Sequence, residues 1–114
     1  MQVAIYHNPR CSKSRQTLAL LRENDVEPEI IEYLKTPPTP EELAQMIGKL
    51  DRSPHDAVRA KEEAYATSGL SSQSDVAAIC EAIAADPILL ARPIVVKGDK
   101  AVIGRPPEDV LTLL

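Results

Sequence analysis

A strand, a helix and a second strand are written into the first 34 residues, and few arrangements of a short chain accommodate all three. VAIY (Val3 to Tyr6) is an apolar run ended by the turn formers Asn8 and Pro9, which predicts a buried strand feeding a loop. From Ser12 to about Asn24, Thr17, Leu18 and Leu21 fall on one side. Arg15, Gln16, Arg22 and Glu23 fall mostly on the other, the pattern of an amphipathic helix. After Asp25-Val26-Glu27-Pro28, EIIEYL (Glu29 to Leu34) is β-branched and aromatic, as a strand requires. Two strands joined by a helix in so short a span lie parallel, through a right-handed crossover.

The remaining pattern completes a sheet. KTPPTPEEL offers Thr39 as a helix cap, Pro40 at the first helical position and Glu41 and Glu42 at the positive end of the helix dipole, so a helix runs to about Leu50. Ser53 to Ala66 is weakly periodic and helical in pieces, and Thr67 to Ser74 is a polar loop. Ser74 or Asp75 can cap a helix over VAAICEAIA, which Asp86-Pro87 ends, with a further turn through Leu90. PIVV (Pro93 to Val96) and AVI flank Gly98-Asp99, the centre of a tight hairpin, and EDVLTLL forms a closing helix. The order β-α-β, helical insert, β-hairpin, helix predicts an α/β fold of thioredoxin-like (glutaredoxin-like) type. It has a four-stranded mixed sheet and one domain over residues 1–114, with the helical insert at about 40–91.

Composition narrows the function. With no Phe or Trp and only 3 Tyr, the core must be Leu, Ile, Val and Ala. A formal net charge of -4 argues against nucleic acid or an anionic membrane surface as partner, so any anion site is local. The beginning MQVAIYHNPR has no basic region ahead of an apolar stretch. The chain therefore reads as soluble, unexported and cytoplasmic. Its 2 cysteines, far apart in sequence, do not make a disulfide framework and suit a reducing compartment.

Cys11 falls between the first strand and the first helix, where the unpaired amides of the first helical turn point at its sulfur. The thiolate is the reacting form of cysteine, and this position favours it. A helix end contributes roughly 2 kcal/mol at most, which leaves the thiol only partly ionised at neutral pH. Arg10, Lys13 and Arg15, beside it in sequence, can add positive charge. Its polar and charged neighbours do not suit a merely buried hydrophobe. Cys80, in the apolar run Val76 to Ala84, reads instead as a core residue.

The spacing excludes several neighbouring chemistries. Ser14 stands where a C-x-x-C dithiol would have its second cysteine, so resolving electrons must come from another molecule. Thr17 stands where a phosphatase-type loop would carry arginine. His7, Cys11, His55 and Cys80 lack the spacing of a zinc motif, so no metal is expected. Arg92, before Pro93, and Arg105, in Gly104-Arg105-Pro106-Pro107, sit at strand ends on proline-stiffened backbone and are suited to grip an oxyanion. Each is equally compatible with a solvated surface charge, and spacing alone does not bring either to Cys11.

YHNPRCSKSRQTL resembles the active-site segment of the glutaredoxin-coupled arsenate reductase family (ArsC-type), with its pattern H-N-P-x-C-x-x-S-R-x-T-L. YLKTPPTPEEL and RPIVVKGDKAVIGRPPEDVL resemble later segments of that family, so the likeness runs nearly the whole chain. The resemblance implies that Cys11 attacks arsenate and that His7 helps hold the loop and the thiolate. Ser14 would donate to the sulfur or the substrate, with Arg15 in the same supporting segment. Arg59, Arg92 and Arg105 would form an oxyanion-binding triplet. It further implies a cis Arg92-Pro93 bond, no bound cofactor, glutathione as co-substrate and glutaredoxin as partner. Ser12 and Lys13 depart from the Gly and Thr of better-characterised members.

Two other functions compete. One is a redox-responsive binding module resembling the Spx-type regulators of the same fold, which usually switch through C-x-x-C, against which Ser14 counts. The other is a glutathione-linked thiol-transfer protein that reduces no oxyanion.

Overall fold

The run VAIY becomes the second strand of the sheet, hydrogen-bonded on both sides, which is why it carries no charged residue. The computed structural model describes residues 2–114. Its strands β1 (Val3–Tyr6), β2 (Glu29–Ile31), β3 (Ile94–Lys97) and β4 (Lys100–Ile103) form one sheet in the order β2-β1-β3-β4. β1 pairs parallel with β2, placing Ile5 opposite Ile30, and antiparallel with β3, placing Ile5 opposite Val95. β3 and β4 form the antiparallel hairpin, with Gly98 in the left-handed region at its turn (φ 63°). This is the thioredoxin-like arrangement anticipated from the order of elements.

Helix α1 (Ser12–Glu23) begins at Cys11 and forms the crossover from β1 to β2. Between β2 and β3 come α2 (Pro40–Gly48), α3 (Glu63–Ser68) and α4 (Val76–Ala85), with 3-10 turns at Pro54–Ala57 and Pro87–Leu89. A capping box starts α2: the Glu42 amide donates to Thr39 Oγ1 at 3.2 Å and the Thr39 amide to Glu42 Oε1 at 3.1 Å. The Asp75 carboxylate caps α4, accepting from the Ala78 amide at 2.8 Å.

The sheet separates two apolar cores because alternate strand residues face opposite ways. Val3, Ile5 and Val95 pack with Leu18, Leu21, Val110 and Leu113 on the α1 side. Tyr6 and Ile94 pack on the other side with Leu43, Ile47, Ile79 and Ile83 from α2 and α4. Each buried aliphatic side chain contributes about 1.5–3 kcal/mol, so the faces of α2 and α4 fasten the insert to the sheet. Cys80 is in this second core, 2% exposed.

Three boundaries differ from the sequence expectation. β2 stops at Ile31 rather than Leu34, because the Glu32 carbonyl accepts from Lys35 at 2.9 Å and Thr36 at 3.0 Å and turns the chain. β3 starts at Ile94, since Pro93 has no amide to give the ladder. The closing segment Pro107–Leu113 is 3-10 rather than α-helical. At three residues per turn, Pro107, Val110 and Leu113 all fall on the buried face.

Two backbone links bring the insert to the approach to β3. The Arg59 amide donates to the Leu89 carbonyl and the Ala91 amide to the Ala57 carbonyl, each at 2.7 Å. They lay residues 57–59 beside residues 89–91, one position from Arg92. Among the described residues, no helix is long and apolar enough to cross a membrane.

Candidate active site

The turn after β1 builds the thiol's position from Asn8. Its side-chain Oδ1 accepts from the Arg10 amide at 3.0 Å and its carbonyl from the Cys11 amide at 3.0 Å. Cys11 then caps α1 in extended conformation (φ -93°, ψ 123°), and its carbonyl accepts the first helical bond from Arg15 at 3.0 Å. The side chain is half-buried and free of any disulfide.

The sulfur does not close a regular cap hydrogen bond, yet the Ser14 and Lys13 amides turn toward it. Burial pushes the thiol pKa up. The Ser14 amide, the Arg92 guanidinium and the Lys13 amide push it further down, to a net value below the ordinary thiol range. Arg105 Nη2 meets the sulfur from the solvent side at 3.8 Å.

Ser14 is fully buried, and its hydroxyl is engaged elsewhere: Oγ accepts from the Asn8 amide at 3.1 Å and lies 2.6 Å from His7 Nδ1. Burial is the main cause that lowers the His7 pKa, Arg22 and Arg15 add to it, and Glu32 opposes it. A neutral His7 that accepts the Ser14 proton at Nδ1 satisfies all three groups. The hydroxyl thus braces the loop, while what faces the sulfur from Ser14 is its amide. Arg15 Nη1 donates to the Pro9 carbonyl at 2.9 Å, clamping the same loop from outside.

Arg92 and Arg105 come from the two ends of the hairpin. Arg105 Nε donates to the Arg92 carbonyl at 2.7 Å, and both Arg92-Pro93 and Arg105-Pro106 are cis. The second cis bond had no counterpart in the sequence reading. Gly104 makes this close approach possible: a Cβ there would lie 2.8 Å from Thr17 Oγ1 and 2.9 Å from Pro93 Cγ. Arg59 joins from the insert, paired with Glu62. Burial lowers its pKa first, and the like charges of Arg92 and Arg105 lower it further against Glu62. Three guanidinium groups close enough to repel one another concentrate positive charge in one place. Arg59 and Arg105 also line a cleft of about 390 Å³, with Lys61 and the Arg52–Asp56 pair over Val58 and Ile103; Cys11 and Arg92 lie outside it. Among the described residues, no three His, Cys, Asp or Glu side chains gather as metal ligands.

The sequence model of the ArsC family matches residues 6–113. The chain belongs to the ArsC family. Within it, the chain is 43% identical to an arsenate reductase of Neisseria meningitidis over 99% of this chain and 98% of that protein. It is 48% identical to the uncharacterized protein YfgD of Escherichia coli K12, over 99% of this chain and 97% of that one. A solved structure, an arsenate reductase from Vibrio cholerae, superposes with a TM-score of 0.94 at 46% identity, covering 100% of this chain and 98% of that one.

The ArsC fold also brings in a residue that the sequence reading left as part of a strand. Tyr33 is fully buried, and burial raises its phenol pKa against the lowering effect of the Arg92 and Arg59 charges. The available signal was a polar-tipped aromatic in an otherwise aliphatic core. It gave no indication of where that tip would lie.

Proposed function

We propose that this protein is an arsenate reductase that works through a covalent adduct on Cys11. The convergence of a thiolate-favouring sulfur with Arg92 and Arg105, and with Arg59 beside them, carries this reading.

In the first step the Cys11 thiolate attacks arsenic, an As–S bond forms, and one As–O bond breaks as that oxygen leaves as water with protons from solvent. Arsenic stays pentavalent, and Arg92, Arg105 and Arg59 stabilise the charge on the remaining oxygens. In the second step an external thiolate attacks the adduct. A disulfide bond forms to Cys11, and the electron pair of the S–As bond stays on arsenic, which leaves as arsenite. Two thiols are oxidised and one arsenic is reduced by two electrons. Cys80 is buried in the other core and Ser14 carries no sulfur, which supports glutathione as the external thiol and glutaredoxin as the reductant of the mixed disulfide. No metal or bound cofactor enters the scheme, and a reducing cytoplasm suits it. Residues 1–114 act as one domain, whose insert at about 40–91 serves to deliver Arg59.

The test is arsenate-dependent NADPH consumption coupled through glutathione reductase, glutathione and glutaredoxin. Turnover is expected from the native protein and loss to background in Cys11→Ser. Native turnover no higher than the variant's would refute the reductase reading.

A further inference from the structure

In a chain of formal net charge -4, the cleft beside Arg105 is a local reversal of sign. Its lining holds the cations Arg52, Arg59, Lys61 and Arg105 against the single carboxylate of Asp56. Asp56 accepts from Arg52 Nε at 3.2 Å, and Arg59 is paired with Glu62. Among the described residues, Lys61 and Arg105 form no ion pair. At about 390 Å³ the cleft is within the range of small-molecule sites, roughly 300–1,000 Å³. Because Cys11 and Arg92 are not in its lining, an oxyanion held at the sulfur leaves it open.

The backbone fixes where this charge stands. Val58 bridges to Leu90, so Lys61 follows closely on a segment tied beside the approach to β3. The opposite wall is the exit from β4, where Arg105 comes two positions after Ile103. Val58, Ala91 and Ile103 are all buried and give the cleft an apolar floor. Arg105 belongs to both places: it lines the cleft, and its Nη2 stands 3.8 Å from the Cys11 sulfur. A carboxylate bound in the cleft therefore lies one side chain from the reacting atom.

The second step of the reaction calls for a ligand of that kind. Ser14 has no sulfur and Cys80 is buried in the other core, so the resolving thiol comes from outside. Glutathione carries a carboxylate at each end and its thiol between them, and an extended tripeptide spans about 10 Å. We propose that the cleft is the seat of the resolving thiol: Lys61 and Arg105 hold a carboxylate of a glutathione-like peptide over the floor of Val58 and Ile103, and its sulfur is presented to Cys11. Arg52 adds charge at the rim, where its exposed pairing with Asp56 is weak. For its part in turnover the seat rests on the reductase reading; binding there needs no oxyanion.

The test is thiol exchange without arsenate. The Cys11 thiolate attacks glutathione disulfide, the S–S bond breaks, a mixed disulfide forms on Cys11 and one glutathione leaves as thiolate. Rates are followed by the mass of the Cys11 peptide, with bis(2-hydroxyethyl) disulfide as the neutral comparison. With glutathione disulfide, Lys61→Ala is expected to be about threefold slower and Lys61→Ala combined with Arg52→Ala about tenfold slower. Lys61→Arg should restore the rate, and all three should keep native rates with the neutral disulfide. Lys100→Ala, at the other end of β4 from Arg105, should match the native protein with both. Equal slowing with both disulfides, no slowing with glutathione disulfide, or the same slowing in Lys100→Ala overturns the proposal. If only the reduction of the mixed disulfide by glutaredoxin slows in the Lys61 and Arg52 variants, the cleft receives a protein surface and the proposal fails. A protein that shows the expected split but consumes no NADPH with arsenate loses the reductase reading and retains the seat.

Discussion

Arg105 Nε donates to the carbonyl oxygen of Arg92 across 2.7 Å, although the two are 13 positions apart along the hairpin. The bond joins the loop after β4 to the approach to β3. It leaves the other end of the Arg105 guanidinium at the Cys11 sulfur.

Arg105→Lys should separate these two contacts. An ammonium keeps the charge but cannot reach a carbonyl and a sulfur with one rigid planar head. The guanidinium is exposed, so the loss should be at the low end for a charged hydrogen bond, about 1.5 kcal/mol or about tenfold in kcat/KM for arsenate. Reaction of Cys11 with a small neutral disulfide should change much less. Steady-state kinetics with both substrates check the pair, and equal losses would contradict the assignment.

Ser14→Ala should weaken the fold more than the thiolate. It leaves the Asn8 amide and His7 Nδ1 without their shared partner, at a cost of about 1–3 kcal/mol in denaturant melts. The amide of residue 14, which faces the sulfur, remains, so the Cys11 alkylation profile should move little. The native protein should also lose stability on acidification. His7 has a folded pKa below its unfolded one, so the unfolded chain takes up the proton first as pH falls. Its contribution is present above the ordinary histidine range and disappears as pH falls through that range to the lowered folded value. Melting temperatures of native protein and His7→Gln across that window measure the difference, and identical pH dependence would contradict it.

Gly104→Ala should damage stability and activity together. Its Cβ would stand 2.8 Å from Thr17 Oγ1 and 2.9 Å from Pro93 Cγ, and Thr17 is held in place by its bond to the Lys13 carbonyl at 2.8 Å. Overpacking of this kind costs about 1–3 kcal/mol. Relief requires the end of β4 to move, and Arg105 moves with it. A denaturant melt and an arsenate KM should both report the change; a variant with native stability and native KM would show the contact to be easily relieved.

Much of this molecule was legible where neighbours in sequence are neighbours in space. The apolar run of β1, the Asn8-Pro9 turn, the amphipathic face of α1 and the Thr39 cap of α2 are set within a few residues. They alone put Cys11 at a helix beginning. The weakly periodic stretch around Arg59 was less legible, because its short helical pieces are held by backbone links to residues 89–91 and not by a pattern of their own.

What only the tertiary structure decided is which charges meet the sulfur. Cys11 and Arg105 are 94 residues apart, and the sheet order β2-β1-β3-β4 brings them into contact. The turn between β1 and α1 directs the Ser14 hydroxyl to His7, leaving its amide to the thiol. Local sequence determines where the chain bends and which face is apolar. The Ser14 and Lys13 amides that favour the Cys11 thiolate are local to the helix start, while the Arg92 and Arg105 side chains reach it only after the sheet has assembled.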